Sequence, residues 1–111
     1  MAVQPVTKTN GTGDSVIFTW VLGSGDTGEP VSLSDYSDRT VTMTGNFNSA
    51  AVALQGSNDK LTWMTQKDAS DNTISKSSDD IELVGTNPTW TRPSASTVTS
   101  VTVIINAVRG K

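Results

Sequence analysis

The chain has 111 residues, eight Lys and Arg against eleven Asp and Glu, a formal net charge of -3, and neither cysteine nor histidine. That inventory excludes disulfides, thiolate nucleophiles, Cys/His zinc sites and every His-dependent catalytic triad. The basic residues are scattered rather than gathered in a stripe, which argues against nucleic-acid binding, and no apolar run approaches the roughly 20 residues that span a bilayer.

Length fits a single core that needs no metal or disulfide staple. Ser and Thr make up more than a quarter of the residues. No stretch keeps apolar residues at helical spacing, so the composition reads as all-β. Residues 1–15 are polar and punctuated by Pro5, Gly11 and Gly13. They predict an extended N-terminal arm, with Val3, Pro5 and Val6 available to dock on a partner. Residues 16–111 are expected to form one domain.

The first predicted strand, residues 16–22, places Val16, Phe18, Trp20 and Leu22 on one face as a core stripe. Residues 23–30 break it with glycines. These lack the lysine, hydroxyl residue and helix that a phosphate-cradling loop requires. Residues 39–45 alternate with Val41 and Met43 inward and Thr40, Thr42 and Thr44 outward, the pattern of a sheet with one wet face. Residues 52–56 put Val52, Leu54 and Gly56 on one side. Ser57, Asn58 and Asp59 suit the turn that follows because their short side chains bond nearby backbone and tolerate positive φ. A second strand over 62–66 completes the hairpin. Residues 67–72 read as another turn, which lacks the glycine and terminal glutamate of a dedicated calcium loop.

Short strands follow at 81–84 and 90–94, where Pro93 predicts an edge or strand end. Residues 98–108 place Val101, Val103, Ile105 and Ala107 on one face. Ile104 and Val108 add apolar character to the other, which predicts a covered second face. About seven strands separated by turn signals predict a small antiparallel two-sheet β-sandwich, jelly-roll or Ig-like. Carboxylates are the remaining acid-base candidates, and their spacing selects no catalytic pair. No catalytic residue, cofactor or metal is therefore expected. Trp20 belongs to the core stripe, whereas Trp63 and Trp90 could present aromatic faces. With Asn58, Asp59 and Arg92 they form an alternative sugar-binding set.

The order of residues 25–31, 36–41 and 44–47, the stretch Val52-Ala53-Leu54-Gln55-Gly56-Ser57-Asn58-Asp59, Trp63 and Arg92-Pro93 resembles a family of small tailed-bacteriophage virion proteins. These are β-sandwich capsid decoration or cement components. The Gly-Ser-Asn-Asp-x-x-x-Trp hairpin is also similar to that of discoidin-like carbohydrate-binding modules. Lys60 stands where the phage pattern often has glycine. The phage resemblance implies a non-enzymatic protein made in the host cytoplasm and bound to the capsid exterior. Its partner would be the major capsid protein or another virion protein. A homo-oligomer, with a trimer suiting local threefold positions, is expected, and neither nucleic acid nor membrane as a partner. The alternatives are a carbohydrate-binding module on a virion or secreted assembly and a tail or baseplate component.

Overall fold

Alternation of apolar and polar side chains along extended segments gives each sheet one face to bury. The computed structural model describes residues 2–11 and 13–109. Five strands form one sheet: β2 (Thr7–Asn10), β3 (Ser15–Leu22), β6 (Tyr36–Asn46), β10 (Asp80–Leu83) and β12 (Ser100–Arg109). Their order is β10-β6-β12-β3-β2, with every neighbouring pair antiparallel.

The other sheet has seven strands: β1 (Val3–Gln4), β4 (Thr27–Gly28), β5 (Val31–Ser32), β7 (Val52–Ser57), β8 (Met64–Thr65), β9 (Ser75–Lys76) and β11 (Trp90–Ala95). Its path is β1-β4-β11-β7-β8, with β5 against β11 and β9 against β7. The described residues thus form twelve strands and no helix, rather than about seven strands. Five of the twelve are only two residues long. Such elements exist through pairing with a neighbour and leave no periodic trace in the sequence.

The core lies between the sheets. Val16, Phe18, Trp20 and Leu22 on β3, Val41 and Met43 on β6, and Val101, Val103, Ile105 and Ala107 on β12 face Val52 and Leu54 on β7, together with Val31, Leu33 and Ile74. Trp20 is fully buried, and its indole N–H donates to the Glu29 carbonyl at 3.0 Å, so the core tryptophan leaves no polar atom unpaired. Phe18 stacks beside it at 6.5 Å between ring centroids, as same-face neighbours two residues apart allow.

The segment expected to be an extended arm is paired into the sandwich at two places. β1 runs parallel to β4, and β2 runs antiparallel to β3 at the opposite sheet's edge. The Asp26 carboxylate secures the crossing, accepting from the Ala2 N–H at 3.1 Å, the Gln4 amide at 2.8 Å and the Gly23 N–H at 2.8 Å. These bonds, the Gly23 N–H foremost, hold its pKa below the ordinary carboxylate value. The sequence missed this because four exposed polar residues such as β2 show no alternation, whereas unpaired backbone on β3 recruits them regardless.

Pro93 lies in β11, in the interior of its sheet and not at an edge or strand end. It pairs with Leu54 of β7 on one side. On the other side β5 reaches only Trp90 and Thr91, and β4 only Ser94. Pro93 therefore falls in the gap between two short strands, where its missing N–H costs no ladder bond.

Candidate functional site

The turn after β7 is organised by one carboxylate. Asp59 Oδ1 accepts from the Leu61 and Thr62 N–H groups at 2.8 Å each and from the Ser57 hydroxyl at 2.9 Å. The Thr62 and Leu61 N–H groups, followed by the Ser57 hydroxyl, bring its pKa down to about 2. Lys60 adopts φ 66, the left-handed conformation that favours glycine, and so does the work of the glycine expected at that place. Asp59 is thus a turn-building residue whose carboxylate is already engaged.

Closing the turn in this way carries the next side chains over the outer face of the seven-stranded sheet. Trp90 and Arg92 alternate with the buried Thr91 and Pro93, so both point away from the core, opposite Ser57 and Gln55 of β7. The Arg92 guanidinium lies 4.2 Å from the Trp63 ring centroid, and its Nε donates to Gln55 Oε1 at 2.9 Å. Partial burial lowers the Arg92 pKa. The Lys60 ammonium lies 4.4 Å above the Trp90 ring, and Asn58 Oδ1 accepts from the Thr89 N–H at 3.3 Å. Asn58, Asp59, Trp63, Trp90 and Arg92, 34 positions apart at the extremes, therefore meet on one face and its adjoining turn. One face of each ring is occupied by a cation, an attraction worth about 0.5–1 kcal/mol at exposed sites.

Beside this cluster runs an open groove of about 580 Å³ whose lining includes Ser57, Asn58, Thr62, Gln66, Thr86 and Asn87. Its polar atoms are amides and hydroxyls, apart from the engaged Asp59. Gln66 is buried at the groove floor, donating to the Gln55 carbonyl and Thr91 hydroxyl at 3.0 and 3.2 Å and accepting from the Thr86 hydroxyl at 2.9 Å. Leu61 and Met64 project nearby, with Leu61 84% exposed. Sequence reading missed Gln66, Thr86 and Asn87, because the loop carrying the last two reaches the hairpin only in the folded chain.

The residues expected to contact a partner do not form one patch. Val3 and Pro5 are exposed beside β4, whereas Val6 packs against the core and donates its N–H to Glu29 at 3.0 Å. Ile104 and Val108 are half-buried on the outer face of the five-stranded sheet. Among the described residues, no group of three or more carboxylates comes together as a metal-holding cluster. In the turn at residues 67–72, Asp68 Oδ1 instead accepts from the Ser70 and Asn72 N–H groups.

No protein-family model and no curated protein matches this chain. Solved structures do share its fold. The SPBc2 prophage-derived protein YomS aligns with a TM-score of 0.67 at 17% identity, over 86% of this chain and 93% of that one. A cupin-domain protein from Bordetella pertussis aligns at 0.59 and 9% identity, over 99% of both chains. An RmlC-like cupin with a double-stranded β-helix fold, from Methanocaldococcus jannaschii, aligns at 0.57 and 11%, over 96% of this chain and 81% of that one.

Further cupin proteins align similarly. These neighbours overturn the expectation that the chain is not an enzyme: most are cupin-fold proteins, so the architecture gives no ground for excluding catalysis. At such identities the likeness concerns the fold alone, an all-β, two-sheet sandwich that this chain shares with cupin domains and with one prophage-derived protein.

Proposed function

We propose that this chain is a structural component of a phage particle, a decoration or cement protein that binds the outside of the head and stabilises the major capsid lattice. The observation that carries the reading is the fold shared with the prophage-derived YomS over 93% of that chain, with the decoration-protein resemblance of the hairpin and its flanking segments beside it. A protein that binds the assembled lattice but not free subunits shifts the equilibrium toward the shell by mass action, and many copies multiply the effect. Val3 and Pro5 are contact candidates on the seven-stranded sheet's β1 edge.

The test is quantitative mass spectrometry of purified particles from the source. A copy number equal to that of the major capsid protein, or a simple fraction of it, is expected. A handful of copies indicates a tail or baseplate component, and absence from particles overturns the virion reading. Val3→Asp, an exposed substitution, is expected to weaken shell binding while leaving the fold intact.

A second reading, carbohydrate recognition, is favoured by the convergence of Asn58, Trp63, Trp90 and Arg92 beside a groove lined with amides and hydroxyls. Saturable glycan binding lost in Trp63→Ala, with unchanged circular dichroism, would support it. A blank glycan array would remove it.

A further inference from the structure

The five-stranded sheet turns an unusual face to the outside. Its central row runs Thr7, Thr19, Ile104, Thr42 and Ile81 across all five strands, with no charge. Edge strand β10 inverts the normal pattern of apolar in and polar out. Ile81 and Leu83 point outward and are 62% and 54% exposed. Asp80 and Glu82 instead lie on the core side of the strand, in register with Met43 and Val41. There Lys76 pairs with both, at 3.0 Å to Asp80 and 2.6 Å to Glu82. Val21, opposite Thr102, adds a further outward apolar side chain that is 54% exposed. Charges sit at its rim: Asp38 beside Val108, and Asp79, two residues before Ile81, whose carboxylate accepts from the Gly45 N–H at 3.0 Å.

We infer that this face is the interface of a two-fold homodimer. Strands about 4.8 Å apart, with outward residues about 6.8 Å apart along each, give roughly 500–600 Å² of sheet face per copy. Two copies then bury about 1,000–1,200 Å², which reaches the size of a specific interface. The partner is a second copy because the face is self-compatible. A two-fold interface sets a patch against itself, so every charge in it meets its like. This chain carries a net charge of -3, yet the face is neutral over its centre. β12 is the middle strand of the five, so a two-fold axis through it matches the sheet's centre to its own copy and places Ile104 at the heart of the contact. The inference does not rest on the phage reading.

Sedimentation velocity of the purified full chain tests it. The wild type is expected to sediment as a dimer of the 11.7 kDa chain at about 100 μM, a concentration at which a micromolar interface is saturated. Ile104→Glu places one unpaired charge from each copy in the contact and is expected to weaken association by about 100-fold or more. Thr42→Lys does the same from a half-buried position on the same row. It decides the matter if circular dichroism shows that Ile104→Glu has not folded. Leu61→Ser, on the turn at the other sheet, is expected to leave the dimer unchanged. A wild-type monomer, a trimer, or a dimer indifferent to a folded Thr42→Lys would each overturn the inference. None of these outcomes bears on the copy number in particles, so this test and the virion test fail separately.

Discussion

Arg39 is 3% exposed, and its guanidinium is shared among three backbone carbonyls. Nη2 donates to Leu33 at 2.7 Å, Nε to Tyr36 at 2.9 Å and Nη1 to Pro88 at 3.1 Å. The side chain thereby ties β6 to the loop after β5 and to the loop before β11, joining the two sheets at one end. Burial lowers its pKa, but an arginine stays charged at any ordinary pH. Arg39→Met keeps the length and removes every donor.

The bond to Leu33 is buried, so its loss should cost about 2–3 kcal/mol, the scale of a charge-assisted bond left without a partner. The other two are partly buried and can recruit water, at about 0.5–1 kcal/mol each. The expected total is about 3–5 kcal/mol, a large share of the 5–15 kcal/mol typical of a domain, and a fall in Tm of about 12–20 °C. Urea unfolding followed by circular dichroism measures it. Arg39→Lys should fall between, since one ammonium cannot reach three carbonyls with the guanidinium's fixed fork. A loss below about 1 kcal/mol for Arg39→Met would refute the reasoning, because it would mean that water replaces the guanidinium at no cost.

Two further predictions concern the turn and the core. Asp59 has a folded pKa of about 2 against an ordinary 3.8, so its contribution is complete above the ordinary value and lost as pH falls through about 2. The wild-type melting temperature should therefore drop more steeply than that of Asp59→Asn between about pH 4 and pH 2, and equal slopes would show that the carboxylate does not hold the turn. At Gly28, an added Cβ would lie 2.5 Å from Pro93 Cδ and 2.6 Å from Trp20 Cδ1, both in buried residues. Gly28→Ala should destabilise by about 1–3 kcal/mol in urea unfolding, and a neutral result would show that the two sheets part there without cost.

Much of the core was legible because period-two alternation is local. Val16, Phe18, Trp20 and Leu22, and Val101, Val103, Ile105 and Ala107, announce their shared faces before any partner strand is known. The burial of Arg39 was not read from the sequence, although it has the parity of Val41 and Met43. A charge at that place reads as a strand margin only while its three carbonyl partners are unknown. The candidate site was half legible. Asn58 and Asp59 declare a turn by their chemistry, and Trp63 follows it. That Arg92 covers Trp63 and Lys60 covers Trp90 depends on the pairing of β11 with β7.

By itself, then, the sequence determined the all-β class, the inward stripes and the hairpin turn, because side-chain alternation and turn preferences act over a few residues. Tertiary structure alone decided the two-residue strands, the docking of residues 2–10 across both sheets, the gap that accepts Pro93 and the neutral outer face capped by Ile81 and Leu83. Each of these arises when backbone donors and acceptors, or side chains, distant in sequence satisfy one another, and no local pattern records which partner will be found.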